Sequence, residues 1–479
     1  MLALFLVAYN IVRVFKVPIT HDEAETYWLY ATASFKNITA NIPVTANNHM
    51  LNSLITKVFI GIFGHHIFFL RLGNILAQIA YLAFSYRLCH KLFRSDRWVL
   101  MAFVLLNFNP FLFDFWGLSR GYGLSLAFMM ASLYYFIRFK IENDPGAVWA
   151  SLILGVLSVY SSFSALNYYV ALIGVLVFWS LATKQLTIRT VTLPVVAISM
   201  GLYALVAHPL IELNDSGEFY FGSTEGVVNG TIASIIKETV FGSPKYQSYY
   251  TLAAGLFTAV HLAIGIFWGS RLFVRRARRE VQLGFSVWCI LMLILLSLKT
   301  QFILLDTPYI IERSALFLYP LAIVVLVYWI YTLELWQWAR TSVVAVLMAL
   351  AVMINFAFNV NTRYARSWRF NMHDKELMSI VIAEQDGHRA KLKLYWAFVP
   401  SFRYNAKQLY PGKFQQIEKR GQRAWANTRY DYYYIHRDQL AEVPDGYRLI
   451  KSYEDGRYRL YGAPLAFDRP SSLILRHEY

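Results

Sequence analysis

Charge is scarce in this chain. Only 15% of its 479 residues are Asp, Glu, Lys or Arg, and 57% are hydrophobic; a soluble protein carries roughly 25% charged residues. The deficit excludes an ordinary soluble globule, and the repeated apolar runs indicate a polytopic membrane protein. Cysteine is nearly missing. Cys89 and Cys289 fall at a helix end and inside an apolar span, so no disulfide framework is expected. A Walker loop, a dinucleotide-binding glycine fingerprint, a nucleophile-elbow serine and a Cys-x-x-Cys pair are all absent, which removes the commonest nucleotide, hydrolase and redox readings. Residues 1–12 lack a basic lead-in and a small-residue cleavage site, so they read as a first membrane helix and not a signal peptide. That helix is short for a crossing of ~20 residues, so the expected start lies upstream. Acid is the scarcer sign, 29 residues against 45 basic ones, for a net charge of +16. On a membrane protein this indicates cytoplasmic loop bias and affinity for anionic lipid or phosphate. No nucleic-acid-binding signature accompanies it, so no nucleic-acid partner is expected.

What is present is a series of apolar stretches. Residues 1–17, 66–86, 98–113, 121–138, 147–162, 166–182, 190–211, 249–269, 281–298, 315–333 and 341–360 predict about 11 membrane helices. Short basic connections at Arg87–Arg97, Arg138–Lys140, Lys184–Arg189 and Arg271–Arg279 orient them, since such loops stay cytoplasmic. The 19–65, 212–248 and 299–314 loops and everything after residue 361 then lie outside. Arg13 and Lys16 end the first span on the outer side, where snorkelling or phosphate binding accounts for them. Within the first outer loop, 22–35 and 52–63 have helical apolar spacing and predict two interfacial helices. The 212–248 loop reads as polar and glycine-rich. After 361 the apolar runs stop and Tyr and basic residues rise. Helix over 373–385, strand-like runs at 430–436, 447–453 and 457–461, and a turn at Glu454-Asp-Gly456 predict a small α/β extracytoplasmic domain over 361–479. Its aromatics read as core more readily than as a sugar-stacking surface. The fold class is thus mainly α, with a membrane domain over 1–360.

Chemistry concentrates in the outer loops. Asp22, Glu23 and Glu25 sit within four positions just after the first span, and ionisable groups held at a membrane face are functional candidates. Thr20 with Glu23 three residues on also spells a capping box. His21, Asp22, Glu23 and His49 are ligand types that suit a divalent ion, the one cofactor left open. Outer-face cations stand near span ends: Lys57, Arg71, Arg120 and Arg313. Asp114 and Arg120 read either as a local ion pair or as part of a site, with Arg120 a phosphate ligand. Glu312-Arg313 is explained equally by capping and snorkelling or by Tyr309 and Arg313 closing over a lipid phosphate. Carboxylates deprotonate hydroxyls and cations stabilise phosphate leaving groups. Together they suggest transfer of a group from a lipid phosphate to a hydroxyl, although charge pairs in a transporter give a similar list.

The order of these motifs resembles the GT-C class of integral-membrane glycosyltransferases, which includes protein O-mannosyltransferases and bacterial lipid A aminoarabinose transferases. The matching residues are Asp22-Glu23-Ala24 with Tyr27, Asn48-His49-Met-Leu-Asn52, Phe63-Gly64 through Leu70-Arg71-Leu-Gly-Asn74, Asn109-Pro110 through Ser119-Arg120-Gly-Tyr122, and Glu312-Arg313. The resemblance covers about residues 1–360, and the tail is similar to the periplasmic domains of some members. The chain departs from the pattern by lacking two prolines after His49, which leaves phosphate binding, metal binding and no role all open for His49. The resemblance implies inverting transfer of a hexosyl or pentosyl group from a polyprenyl-phosphate sugar to a hydroxyl, in a bacterial inner membrane with the site facing the periplasm. It implies Asp22 as general base, Glu23 as its positioning group or the partner of Arg120, and Arg120, Arg313, Lys57, Arg71 and Tyr309 on the donor phosphate. His21, His49 and Asp114 remain substrate or metal candidates. A flippase for lipid-linked sugars would carry charges inside its spans, and these spans are nearly charge-free. A non-catalytic assembly protein would tolerate loss of Asp22 and Glu23 together. The acceptor, whether protein, lipid or glycan, is not specified.

Overall fold

Helix forms in each of the 11 apolar stretches. The computed structural model describes residues 1–182, 187–272, 279–336, 340–385, 389–417 and 430–463. Lys184, Arg275, Arg276 and Arg278 of the orienting basic loops lie outside the described residues. Among the described residues eight helices are long and apolar enough to cross a membrane: Ile67–Leu92, Gly121–Glu142, Phe163–Ala182, Thr190–Asp215, Pro244–Leu272, Arg279–Leu305, Leu318–Leu335 and Ser342–Asn359, or nine spans if the bent pair Leu2–Lys16 and His21–Ala31 counts as one. Asp96–Asn107 and Pro145–Ser161 are shorter, at 12 and 17 residues. The predicted span 98–113 is broken at Asn109. That side chain accepts from the Phe111 and Leu112 N–H groups, and Pro110 opens the new helix Pro110–Asp114, because proline suits a first helical position whose N–H would be orphaned.

The chain divides into two compact units, residues 1–17 with 26–367, and residues 18–25 with 368–479. Each is described by itself.

In the first unit the helices are tied together by buried polar side chains, which replace the missing hydrophobic drive between helices in lipid. Asn10 donates to the Gln78 side chain at 2.9 Å and to the Trp116 carbonyl at 3.0 Å. At one end of the bundle the short basic connections are cross-linked. Arg94 pairs with Glu280 at 2.9 Å, Arg97 with Glu334 at 2.8 Å and Arg138 with Glu142 and Asp144, while Lys91 also reaches Glu142. The basic connection Arg87–Arg97 therefore meets the chain just after Lys140 and at Glu280. The 212–248 stretch is not simply a polar loop. It contains the π-helical turn Val227–Ile232 and the helix Ala233–Thr239, because Ile232, Ala233 and Ile236 pack against Ala254, Phe257 and Leu295. The predicted interfacial helix 22–35 is likewise not continuous. The helix His21–Thr26 runs into a π-helical turn, Tyr27–Ala31, and a separate helix Phe35–Thr39 starts on a Ser34 cap. The second predicted interfacial helix is present as Met50–Phe63.

The second unit is built on a five-stranded mixed sheet: β1 (Ala390–Leu394), β2 (Phe414–Ile417), β3 (Tyr432–His436), β4 (Arg448–Tyr453) and β5 (Tyr458–Gly462), in spatial order β2-β1-β3-β5-β4. β1 is parallel to β2 and β3, and β5 is antiparallel to β3 and β4. The predicted hairpin joins β4 to β5, with Glu454, Asp455 and Gly456 all at positive φ. Alternation sends Tyr432 and Tyr434 of β3 to one face, where Leu377, Met378 and Val381 of the helix Asp374–Glu384 and Phe402 of the helix Val399–Leu409 close the core. Tyr433 and Ile435 pack on the other face with Tyr430.

Candidate functional site

The carboxylate cluster lies at the start of the helix His21–Thr26. A helix start leaves orphan N–H groups, and here side chains take them. The Thr20 Oγ1 accepts from the Glu23 N–H at 3.3 Å, and the Glu23 Oε2 accepts from the Thr20 N–H at 3.0 Å and from the Thr20 hydroxyl at 3.1 Å. This is the capping box spelled by the sequence. It buries Glu23 at 1% exposure and leaves Asp22 partly exposed on the same first turn. The Asn371 Oδ1 accepts from the His21 N–H at 3.0 Å, and the His21 ring donates through Nδ1 to the Ala397 carbonyl at 2.8 Å. The His21 Nε2 faces Glu25 at 3.8 Å, and the ring meets Trp396 edge-on with centroids 5.5 Å apart. Behind Asn371 stands Asp374, fully buried; burial pushes its carboxyl up to about 7 despite hydrogen bonds from Ser401 and Asn371.

In the first unit three motif segments that are distant in sequence converge. Asn74 donates to the Asn52 side chain at 2.9 Å, and Asn52 donates to the Ser119 carbonyl at 3.1 Å. Next to Ser119, the buried Arg120 donates through Nη1 to the Thr26 hydroxyl at 3.0 Å and to the Asn47 carbonyl at 3.2 Å, and lies 5.9 Å from the Tyr122 ring centre. Tyr122 in turn meets the His49 ring at 4.6 Å, and the His49 Nδ1 donates to the Ser161 carbonyl at 3.0 Å. Gly121 permits this closeness: a Cβ there would stand 1.9 Å from the Ser161 carbonyl oxygen and 2.7 Å from the His49 side chain.

The other predicted cations are spent differently. Arg71 is fully buried and donates through Nη1 to the Val14 and Val17 carbonyls at 2.9 Å each, where a cation satisfies the orphan carbonyls of the first helix. Lys57 donates to the Ala33 carbonyl and lies 5.3 Å over the Phe35 ring. Arg313, partly exposed, lies 4.8 Å over Phe221. Tyr309 is held by two backbone hydrogen bonds with Ser223 at 2.9 Å and stacks on Phe302.

The expected Asp114–Arg120 ion pair is not formed. Asp114 binds Arg13 at 2.5 Å and accepts from the Arg366 N–H at 2.7 Å. Arg13 is therefore a buried structural cation, neither snorkelling nor exposed to phosphate. The chain of charges continues: Arg366 pairs with Glu238 at 2.9 Å, and Lys237 with Glu238 at 3.1 Å and Glu312 at 3.2 Å. Lys237 and Arg366 were not singled out by sequence reasoning. Their signal was weak, since Lys237 sits in a stretch that reads as a polar loop until its apolar face is seen packed. An apolar cavity of about 150 Å³ is lined by Ile232, Ile236, Phe257, Leu291, Leu318 and Ala322 among others.

Among the described residues no three His, Cys, Asp or Glu side chains are grouped to hold a metal ion. Glu23 serves its capping box, and both His21 and His49 hold Nδ1 on backbone carbonyls, a bond that orients the imidazole ring.

No protein-family model and no curated protein matches the chain in sequence. Among solved structures, ArnT from Cupriavidus metallidurans bound to undecaprenyl phosphate is similar at 12% identity and TM-score 0.53, over 98% of this chain and 99% of that one. The apo state of the same protein is similar at 13% identity and TM-score 0.50, over 96% and 97%. Arabinosyltransferase EmbB from Mycobacterium smegmatis follows at 13% identity and TM-score 0.37, over 77% of this chain and 42% of that one. The chain therefore has an ArnT-like polytopic membrane fold.

Proposed function

We propose that this chain is an inverting glycosyltransferase that moves a sugar from a polyprenyl-phosphate donor to a hydroxyl acceptor at the outer, periplasmic face of a bacterial inner membrane. What carries the reading is the end-to-end likeness of fold to a structure that holds undecaprenyl phosphate. Residue chemistry supports it. With Glu23 engaged in the capping box, Asp22 is the partly exposed carboxylate of that turn, and we assign it as general base. The acceptor hydroxyl gives its proton to Asp22 as its oxygen attacks the anomeric carbon. The bond from that carbon to the phosphate oxygen breaks on the opposite side, and polyprenyl phosphate leaves with the electron pair. One displacement inverts the anomeric configuration.

Arg120 is assigned to the departing phosphate. A guanidinium gives paired donors and a permanent charge, and Thr26, to which it is anchored, lies four residues beyond Asp22 in the chain. Arg313 is assigned as a second phosphate cation; Lys237 pairs with Glu312, the residue before Arg313 in the chain. The apolar cavity fits a stretch of isoprenoid chain, because its lining is mainly Ile, Leu, Val, Phe, Met and Ala side chains. Arg71 and Tyr309 are assigned to holding the structure, and Lys57 to the first loop. No step is assigned to a metal.

The test is turnover of a panel of undecaprenyl-phosphate sugars by the purified full chain, with membrane extract as the source of acceptor. Release of undecaprenyl phosphate, with the transferred sugar in the opposite anomeric configuration, is expected for one donor class. Saturable donor binding with no release from any donor overturns the assignment in favour of a carrier of lipid-linked sugars.

A further inference from the structure

The capping box fixes the backbone of the turn that carries Asp22 from inside the helix. A second set of contacts fixes it from outside. Asn371 is 2% exposed and uses its whole amide. Its Oδ1 accepts from the His21 N–H at 3.0 Å, and its Nδ2 donates to the Asp374 Oδ2 at 3.0 Å and to the Ser401 Oγ at 3.0 Å. Ser401 donates to the same Asp374 oxygen at 2.6 Å. This arrangement allows one orientation of the amide. A flipped Asn371 would turn its NH2 toward the His21 N–H and its carbonyl toward a carboxylate, losing both bonds. Asp374 therefore decides which way Asn371 faces, and Asn371 holds the residue adjacent to Asp22. The His21 ring is gripped from the same side by the Ala397 carbonyl, four residues before Ser401.

We propose that Asn371, oriented by Asp374 and Ser401, is a positioning residue for Asp22. The proposal rests on the reading of Asp22 as general base. Glu23 sets the local turn, and Asn371 sets where that turn stands on the sheet unit. Misplacing a base by about 1 Å is enough to lower turnover by about 100-fold.

The experiment uses the full chain and the undecaprenyl-phosphate sugar that turns over in the assay above. Asn371→Ala is expected to lower kcat by about 10- to 100-fold, with donor KM changed less than about threefold. It is also expected to raise amide hydrogen exchange in the peptide covering residues 18–25 while exchange in β3 and β5 stays at the wild-type level. Because Asn371 is buried, the exchanged pair Asn371→Asp with Asp374→Asn is the second variant. The new carboxylate accepts from the His21 N–H and the new amide donates to it, so this pair is expected to restore kcat and protection, whereas Asn371→Asp alone is not. Adding Asn371→Ala to Asp22→Asn is expected to cost nothing further, since both act through one group. Wild-type kcat and protection in Asn371→Ala, or an equal further loss in the Asp22→Asn background, overturns the positioning role. Wild-type turnover in Asp22→Asn itself overturns the base assignment, a separate failure.

Discussion

At the residue scale, two adjacent carboxylates differ in their surroundings: Glu23 is buried in the helix cap and Asp22 is partly exposed. Sequence alone shows Asp22 and Glu23 side by side and also shows the Thr20–Glu23 capping box. It does not show which use of Glu23 prevails, because that depends on whether the turn is buried. In the structure Glu23 makes the reciprocal bonds of the cap and is buried. Glu23→Ala is expected to lower unfolding stability by about 1 kcal/mol, read by chemical denaturation in detergent. Glu23→Gln, which keeps an acceptor for the Thr20 N–H, should recover much of that loss. Arg13 and Asp114 make a second residue-scale case. Their ion pair is buried on both sides, so Arg13→Ala strands the carboxylate and is expected to destabilise by about 3–5 kcal/mol. Arg13→Met combined with Asp114→Leu should cost less than Arg13→Ala alone, measured in the same denaturation series. The partner of Asp114 was not legible in sequence: Arg120 is six residues away and Arg13 is 101, and only the packing of the first helix chooses the distant one.

At the element scale, Asp374 gives the sheet unit a pH signature. Burial holds its carboxyl near 7 in the folded chain, far above its ordinary value of 3.8. Between those values the folded chain keeps a proton that the unfolded chain has lost. The unfolded state thus binds fewer protons, and stability falls as pH rises from about 4 to about 7. The expected outcome is a thermal midpoint for wild type that falls from pH 5 to pH 8 relative to Asp374→Asn, which lacks the titrating group. Parallel curves for the two would contradict it. The apolar cavity is the other element-scale feature. It is enclosed by the helix Ala233–Thr239 and the membrane helices that face it, and Ala322→Phe should fill part of it. The expected result is binding of undecaprenyl phosphate weakened by about tenfold or more, with the fold intact by size exclusion, read by native mass spectrometry.

At the scale of the whole molecule, the membrane helices were legible because apolar length and basic loops are strong, local signals. All 11 stretches contain helix, although among the described residues eight helices, or nine spans with the bent pair, have the length and composition of a crossing. The break at Asn109-Pro110 was readable as a motif, yet the hydrophobicity around it masked the cap. The hairpin at Glu454-Asp455-Gly456 was legible because Asp-Gly is a pair that accepts the positive φ of a tight turn, and three of the five strands were marked by their Tyr-rich alternation. The pairing order of the sheet was not, since parallel partners such as β1 and β3 are set by long-range packing. The motif segments Asn48–Asn52, Arg71–Asn74 and Ser119–Tyr122 were legible as a list, and the structure joins them through Asn74, Asn52 and Ser119 and through Arg120, Tyr122 and His49. The membership of Pro18–Glu25 in the sheet unit was beyond sequence reach, because His21 reaches Asn371 and Ala397, which are 350 and 376 residues away.

The account stands on Asp22 acting as the base in transfer from a polyprenyl-phosphate sugar. The most direct measurement compares wild type with Asp22→Asn in one sample series, following donor binding by native mass spectrometry and undecaprenyl phosphate release by liquid chromatography with mass detection. The account predicts that both proteins bind the donor within about threefold and that the variant releases the lipid phosphate at least about 100-fold more slowly. Release at the wild-type rate by a folded Asp22→Asn protein would contradict it.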